Sequence, residues 1–320
     1  MKAVIIDGPG AAPRYGDFAE PVVGDGRELV ELVAAGVHTI TRSLAAGRHY
    51  GSTGAWPLVP GVDAVARASD GTLSYTGYVD APWGTMAERM AVPAGFRLEL
   101  PERADPVAIA GGLNPGVATW MPLVARAADR PLGTVLVLGV TGVAGALAVQ
   151  NALALGATRV VGAGRSQAGL DTARTFGAEV VQLVGDRDAD AASLADALAE
   201  ESPTVILDLV WGEPAEATWA ALGRRGLEED AADILHVQIG STAGADASLP
   251  ASLLRSRRIR IEGSGAGASS VADIMAAIPT YMQLIAEGKV MVPTRTYNLE
   301  DVAEAWLAAQ QGGPRPVLLP

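Results

Sequence analysis

Residues 135–147 read Val-Leu-Val-Leu-Gly-Val-Thr-Gly-Val-Ala-Gly-Ala-Leu, and this stretch decides the fold. The apolar run Val135–Leu138 predicts a buried strand. Gly139, Gly142 and Gly145 follow it and lead into an apolar helix. Glycine lets the backbone turn sharply and approach a pyrophosphate, and a helix N-terminus supplies free N–H groups. The stretch therefore predicts the dinucleotide-binding turn of a doubly wound α/β domain.

The glycine spacing is a weak signal by itself. In the usual G-x-G-x-x-G fingerprint the first glycine would fall on Val140. The same glycines also fit a tight strand-to-helix turn that only packs in the core. As a nucleotide turn, the segment predicts these cofactor contacts: Thr141, Gly142, Val143, Ala144 and Gly145.

The next predicted strand ends in Gly164-Arg165-Ser166. This position lies about 20 residues beyond Gly145, where an NAD-binding protein carries an acid for the ribose 2′-hydroxyl. A guanidinium can instead bind a 2′-phosphate through two hydrogen bonds, and Ser166 can add a hydroxyl donor. We therefore predict NADP(H), held by Gly164, Arg165 and Ser166; the alternative for Arg165 is a solvated surface cation.

The rest of the chain divides into two patterns. Up to about residue 100, short β-rich runs alternate with turn residues, which predicts an antiparallel β domain. Beyond Pro106, alanine-rich helical stretches alternate with apolar runs such as Val205–Val210 and Ile234–Ile239, which predicts a parallel sheet covered on both faces. Ligands bind beyond the carboxyl ends of such strands. The further cofactor contacts predicted there are Val210, Ile239, Gly240, Ser241, Ser264 and Gly265.

The composition of the chain disfavours several classes of partner and excludes several kinds of site. The chain has 320 residues, more than one ordinary domain, and its net charge of −12 disfavours nucleic acid as a partner. It has no cysteine, which excludes disulfides, zinc–thiolate sites and thiol nucleophiles. The apolar start of the chain is too short for a signal peptide, and Val135–Val149 falls short of the ~20 residues of a membrane span. These features predict a cytoplasmic protein without a membrane partner.

Several motifs together resemble the medium-chain dehydrogenase/reductase superfamily, and within it the zinc-independent quinone oxidoreductase-like branch. They stand in the family's order: Gly36-Val37-His38, Pro57 to Asp63, Gly84 to Arg89, the Gly139 to Gly145 turn, Val237 to Gly240, and Asn298 to Ala305. The resemblance implies an α/β fold with a GroES-like antiparallel β domain and a doubly wound Rossmann parallel-sheet domain. The GroES-like domain would comprise residues 1–118 and 265–320, and the Rossmann domain residues 119–264. Asn298 is also predicted to cap the following helix.

The resemblance also allows a comparison with the zinc ligands of the superfamily's zinc-dependent branch. The zinc-dependent branch has a cysteine near the position of His38 and a Gly-His-Glu turn where this chain has Gly61-Val62-Asp63. Zinc needs three or four convergent ligands, and the remaining histidines are His49 and His236. We therefore predict no metal site. A short-chain dehydrogenase is disfavoured too, because its Tyr-x-x-x-Lys pair cannot be formed with Lys2 and Lys289 as the only lysines.

A hydride donor without a Lewis acid suits acceptors that delocalise charge, which are quinones, enones and related conjugated carbonyls. The expected substrate is therefore a small hydrophobic conjugated carbonyl. The resemblance points to His38 and Tyr50 as catalytic residues that donate a hydrogen bond or proton to the developing oxyanion, with His49 as a third candidate. Each could equally be structural, and for Asp63 we favour a structural role.

The resemblance further implies a homodimer, with Ile259-Arg260-Ile261 as the strand that pairs across it. Two alternative functions stay open. One is a pathway-specific tailoring enoyl reductase of biosynthesis, which would ignore simple enones. The other is an NADPH-binding protein with little turnover.

Overall fold

The computed structural model describes all 320 residues, Met1–Pro320, which form two compact units. Met1–Asn114 and Pro279–Pro320 make up the first unit, and Pro115–Ile278 the second. The chain passes from one to the other inside two helices, Pro106–Asp129 and Val271–Ala286. The domain boundaries predicted from the sequence, 118/119 and 264/265, differ from these divisions and stay a prediction.

All elements are numbered in chain order. The strands are β1 Lys2–Ile5, β2 Arg14–Asp17, β3 Arg27–Gly36, β4 Asp63–Arg67, β5 Leu73–Gly77, β6 Arg89–Pro93, β7 Leu98–Glu99, β8 Thr134–Leu138, β9 Arg159–Gly164, β10 Glu179–Gln182, β11 Val205–Asp208, β12 Ile234–Gln238, β13 Ile259–Gly263, β14 Thr294–Asn298 and β15 Arg315–Leu319. The helices are α1 Thr39–Ala45, α2 Pro106–Asp129, α3 Val143–Ala154, α4 Gln167–Thr175, α5 Arg187–Ala197, α6 Glu213–Ala221, α7 Ala251–Ser256, α8 Val271–Ala286 and α9 Val302–Gln311.

The first unit is built on a mainly antiparallel sheet. Its strand order is β14-β15-β3-β4-β5-β7, β6 also pairs with β3, and only β14 and β15 run parallel. In β3 the side chains of Val30 and Leu32 are buried while Leu29 and Glu31 are exposed, which is the period-two pattern of a sheet with one face on a core. The β1–β2 hairpin forms a separate sheet.

The second unit is a six-stranded parallel sheet in the order β10-β9-β8-β11-β12-β13. Counted within the unit, this order is 3-2-1-4-5-6, that of a doubly wound dinucleotide-binding fold. In β8, Val135 and Val137 pack into one apolar cluster, and Leu136 and Leu138 into another. Both faces of the sheet are therefore covered, as the continuous apolar run predicts. The strand order reverses between β8 and β11, and ligands bind at such a point.

Two local predictions differ from the structure. The run Val205–Val210 forms a strand only as far as Asp208, so Val210 lies in the loop after β11. Asn298 ends β14 and stands at the N-cap of a 3₁₀ turn, but its side chain caps no backbone N–H; its Nδ2 donates to Asp301 Oδ2 at 3.2 Å. A 3₁₀ turn over Leu299–Asp301 separates Asn298 from α9, so its side chain cannot reach the free N–H groups of that helix.

Helix α2 is long and apolar enough, by length and composition alone, to cross a membrane. However, 67% of its most apolar window is buried inside the protein, and the helix contains Pro115 and Pro122. Such burial is what the core helix of a folded protein shows.

Candidate active site

The turn between β8 and α3 is shaped by two glycines for which no other residue could substitute. Gly139 has φ of +85°, and a Cβ there would lie 2.6 Å from Val210 Cγ1. A Cβ on Gly145 would lie 2.4 Å from Val140 Cα and 2.5 Å from the Gly139 carbonyl oxygen. Because these neighbours of Gly145 are backbone atoms, α3 packs against its own turn too closely for any side chain at this position.

Gly142 is different, since nothing within the chain requires a glycine there. Its φ of −92° and ψ of 169° suit any residue, and a Cβ would meet only the Gly139 oxygen, at 3.9 Å. The residue is exposed and stands at the N-cap of α3 without a side-chain cap, which leaves the first N–H groups, those of Val143 and Ala144, without a capping acceptor. Open space before free N–H donors at a helix N-terminus fits a pyrophosphate.

Thr141 holds this turn against the neighbouring strand. A Cβ on Gly164 would lie 2.5 Å from Thr141 Cγ2, and one on Gly169 would lie 2.4 Å from Thr141 Cβ. The Thr141 side chain thus fills the space that the two glycines leave. The sequence did not assign this packing role, and contact of Thr141 with a cofactor stays a prediction.

Arg165 directly follows β9, at the same edge of the sheet as the glycine turn. Its side chain is exposed and makes no hydrogen bond or ion pair, whereas Arg174 on α4 is paired with Asp171. Ser166 caps α4, with its Oγ accepting from Gly169 N at 3.4 Å, and its hydroxyl proton stays free to donate. An unpaired guanidinium beside a helix N-terminus attracts an anion.

The remaining predicted cofactor residues also lie along this edge. Ile239 N donates to the Asp208 carbonyl at 2.8 Å, and Ser264 N donates to the Gln238 carbonyl at 2.8 Å. A Cβ on Gly240 would lie 2.5 Å from the Leu209 oxygen, so that glycine is set by packing. Ser241 is exposed and Gly265 half-buried, and neither caps a helix. The second unit thus assembles its predicted cofactor residues at the carboxyl ends of β8, β9, β11, β12 and β13.

His38 lies in the first unit, at the N-terminus of α1, and is only 2% exposed. Its Nε2 is 3.3 Å from Asp63 Oδ1, but neither ring nitrogen makes a hydrogen bond in the chain, and neither does that oxygen. The imidazole occupies space that Gly36 leaves, because a Cβ on Gly36 would lie 2.6 Å from the ring. A buried ring nitrogen without a partner is costly unless a ligand or water satisfies it.

Asp63 interacts with two further side chains that the sequence did not indicate. Tyr75 donates its hydroxyl to Asp63 Oδ2 at 2.6 Å. Burial, followed by the charge of Asp63, raises the pKa of Tyr75 well above its ordinary value, so Tyr75 stays a donor. Burial lowers the pKa of Arg315 to about 10, and the charge of Asp63 opposes that fall, so Arg315 stays charged at neutral pH. Arg315 also donates to the Val37 carbonyl at 2.9 Å.

Tyr50 lies in the loop after α1 and is 79% exposed. Its ring stacks on His49 with centroids 4.1 Å apart, and burial lowers the pKa of His49. The Tyr50 hydroxyl makes no hydrogen bond to His38 or to Asp63. The structure therefore leaves Tyr50 accessible to solvent, and His38 buried beside the Asp63 carboxylate.

Metal ligands do not converge anywhere in the 320 residues: no group of three His, Asp or Glu side chains could hold an ion. His236, the third histidine, is fully buried in β12 with its Nε2 3.0 Å from Asp208 Oδ2.

Sequence comparison finds a clear relative, and no family model matches the chain. The relative, a protein of Emericella nidulans named a probable NADPH-dependent quinone reductase, is 32% identical over 230 residues. The matched region covers 68% of this chain and 63% of that protein, so this chain spans less than two thirds of its relative's length.

Solved structures agree with this chain over its whole length. A mycobacterial protein complexed with NADPH has a TM-score of 0.83 at 20% identity, covering 100% of both chains. The quinone oxidoreductase of Thermus thermophilus, also solved with NADPH, has a TM-score of 0.81 at 23% identity, covering 100% of both chains. The quinone oxidoreductase of Pseudomonas syringae has a TM-score of 0.78 at 21% identity, covering 100% of this chain and 99% of that one. These likenesses confirm the fold class that the sequence predicts.

Proposed function

This chain has the fold of the quinone oxidoreductases of the medium-chain dehydrogenase/reductase superfamily, and from that premise we propose that it is an NADP(H)-dependent oxidoreductase. Its substrate would be a small hydrophobic quinone, enone or related conjugated carbonyl. The observation that carries the proposal is the open space before Gly142, a glycine that the chain's own packing does not require. The name of the Emericella nidulans relative agrees with it.

The residues that would hold the cofactor are those of the sheet edge. The N–H groups of Val143 and Ala144 would bind the pyrophosphate, and Arg165 with Ser166 would bind the 2′-phosphate. Val210, Ile239 and Gly240 would line the path toward the nicotinamide, together with Ser241, Ser264 and Gly265. When bound, NADPH would supply the hydride.

Arg165 provides the test of cofactor choice. We expect the wild type to bind NADPH more tightly than NADH. Arg165→Ala should weaken NADPH binding about 10- to 100-fold while NADH binding stays the same, because one charge-assisted phosphate contact is worth ~1.5–3 kcal/mol. Titration followed by tryptophan fluorescence measures both constants. Arg174→Ala, on the following helix α4 and paired with Asp171, is the control and should change neither. Equal wild-type affinity for NADPH and NADH would contradict the phosphate assignment.

On the acceptor side, reduction of a conjugated carbonyl takes up one hydride and one proton. Without a metal, the oxygen that becomes negative needs a hydrogen-bond or proton donor from the protein. His38 and Tyr50 are the proposed donors. The unpartnered Nδ1 of His38 supports the first, and the accessibility of the Tyr50 hydroxyl supports the second.

Turnover separates this proposal from its two alternatives. We expect NADPH oxidation with simple quinones and enones, measured by loss of absorbance at the dihydronicotinamide band. Oxidation with none of them but tight NADPH binding would favour a pathway-specific reductase or a binding protein with little turnover.

Zinc independence belongs to the same proposal. Elemental analysis of the purified protein is expected to find zinc far below one equivalent per chain, because no three ligands converge. Activity should survive dialysis against a strong chelator. One equivalent of zinc that the chelator removes together with activity would contradict the metal-free mechanism.

Location and assembly complete the proposal. We infer a cytoplasmic protein without membrane attachment that forms a homodimer. The dimer is supported by β13, an edge strand of the parallel sheet with unpaired backbone groups on its outer side. Its exposed charges, Arg260 and Glu262, work against indiscriminate pairing of that edge.

A further inference from the structure

Three buried polar side chains form a hydrogen-bonded chain beneath the carboxyl ends of β11 and β12. Asp208 and His236 have no exposed surface, and Trp219 is 1% exposed. Trp219 Nε1 donates to His236 Nδ1 at 3.1 Å, and His236 Nε2 lies 3.0 Å from Asp208 Oδ2. Asp208 is the last residue of β11, at the point where the strand order reverses.

The direction of the protons in this chain follows from chemistry. An indole N–H can only donate, so His236 Nδ1 must accept and carries no proton. His236 therefore holds its single proton on Nε2 and donates it to Asp208. A proton on Nδ1 would face the N–H of Trp219.

The other oxygen of Asp208 holds the loop after β11. Asp208 Oδ1 accepts from Val210 N at 3.0 Å and from Trp211 N at 2.7 Å. Trp211 has φ of +57°, an unfavourable backbone conformation for a bulky residue, and Gly212 follows with φ of +60°. Strained residues persist only where their surroundings fix them, and they gather at functional sites.

This loop, Leu209–Gly212, touches the glycine turn. The Val210 side chain is the group that a Cβ on Gly139 would strike, at 2.6 Å. Val210 also accepts from Ala243 N at 2.8 Å through its carbonyl, so the loop links the ends of β11 and β12. Asp208 thus fixes the conformation of this loop, and the loop contacts the glycine turn that would receive the pyrophosphate.

We propose that His236 and Trp219 are positioning residues for the dinucleotide. They fix the carboxylate of Asp208, which in turn holds Leu209–Gly212 in the conformation that completes the nucleotide site. The inference rests on the proposed function in taking NADPH as the ligand. Two of these polar groups are buried in the parallel sheet and the third, Trp219, on α6. Apolar side chains of similar volume often stabilise a fold as well as a buried polar network does, so stability alone does not account for them.

A double-mutant cycle tests whether the hydrogen bonds from Trp219 to His236 and from His236 to Asp208 have the donors and acceptors assigned above. In Asp208→Asn the amide oxygen can still accept hydrogen bonds from the N–H groups of Val210 and Trp211. The amide N–H then faces the Nε2–H of His236, so two donors meet. His236 cannot move its proton to Nδ1, because the N–H of Trp219 is there. Trp219→Phe removes that N–H and lets His236 change tautomer. We expect D208N to weaken NADPH binding about tenfold, and D208N/W219F to bind NADPH better than D208N alone.

The control is Thr218→Val, which removes a buried hydroxyl bond to the Pro214 carbonyl on the same helix, 2.8 Å long, without touching His236. It should lower the melting temperature and leave the NADPH dissociation constant unchanged.

Additive losses in the cycle, with D208N/W219F binding NADPH more weakly than either single variant, would overturn this inference but not the proposed function. Failure of the wild type to bind NADPH would remove the proposed function as well. Long-range ¹H–¹⁵N spectra of the wild type should show His236 protonated on Nε2, and a proton on Nδ1 would overturn the assignment even if the variants do not fold.

Discussion

Replacement of Gly142 by alanine is expected to weaken NADPH binding about 100-fold, or ~2.7 kcal/mol, while the protein stays as stable as the wild type. The methyl group would stand in the open space before the N-terminus of α3, where the pyrophosphate would lie. It would push the phosphates away from the N–H groups of Val143 and Ala144, and each hydrogen bond to a charged group is worth ~1.5–3 kcal/mol.

Stability should not change, because two small effects at Gly142 oppose each other. Alanine is a poorer N-cap than glycine, by less than ~1 kcal/mol. Alanine also restricts the unfolded chain, which stabilises by ~0.4–1 kcal/mol where the native φ is allowed, as −92° is. The added methyl meets no atom closer than 3.9 Å.

Gly145→Ala is the matched control for Gly142→Ala, three residues further along the same turn. Its methyl would overlap Val140 Cα and the Gly139 oxygen, backbone atoms that cannot move aside. We expect a loss of more than ~4 kcal/mol in the free energy of unfolding, or no folded protein. Thermal melts and NADPH titrations of the two variants separate a packing glycine from a ligand-binding glycine. Wild-type NADPH affinity in Gly142→Ala would remove the observation on which the proposed function rests.

The contrast between these two glycines shows where sequence reasoning ends. Both stand in one Gly-x-x-Gly spacing, and nothing in the order of residues distinguishes them. Only the packing of α3 on its turn shows that Gly145 has no free space and Gly142 has open space. The strand itself could be predicted within one residue, as Val135–Leu138 against Thr134–Leu138, because a fully buried parallel strand is a continuous apolar run.

Element ends were harder to predict, for a reason that β11 illustrates. The apolar run continues through Leu209 and Val210, so periodicity extends the strand. The strand stops at Asp208 because the carboxylate takes the N–H groups of Val210 and Trp211, which a longer strand would need for its ladder. That bond depends on His236, which holds the other carboxylate oxygen from 28 residues away.

The partners of the catalytic candidates could not be predicted for a similar reason. Asp63 and Tyr75 face each other only because β4 and β5 pair in one register, which places Tyr75 opposite Val65. His38 reaches Asp63 because Gly36 leaves room for its ring. Contacts of this kind are set by strand register and packing, and the residue types alone do not encode them.

His38→Asn is expected to lower kcat with a quinone about 100-fold and to leave NADPH affinity unchanged. Loss of a general acid costs ~10²- to 10⁴-fold, and imidazole is the side chain that most readily exchanges a proton near neutral pH. A carboxylate lies behind His38: Asp63 Oδ1 is 3.3 Å from Nε2, and Asp63 Oδ2 accepts from Tyr75 at 2.6 Å. Asparagine keeps a polar partner for Asp63, so the carboxylate is not left alone in the core.

Tyr50→Phe should lower kcat less than about tenfold. The Tyr50 hydroxyl is exposed and has no partner in the chain that could orient it or return a proton to it. Its contribution as a general acid should therefore fall below the ~10²- to 10⁴-fold that a positioned acid supplies. Both variants are compared by steady-state NADPH oxidation at saturating quinone, with NADPH titration and thermal melts as checks on the cofactor site and the fold. A loss of 100-fold in Tyr50→Phe with wild-type turnover in His38→Asn would move the proton donor to the exposed loop, and His38, Asp63 and Tyr75 would then be a structural network. A small loss in both would mean that hydride transfer depends on orientation alone, with water as the proton source.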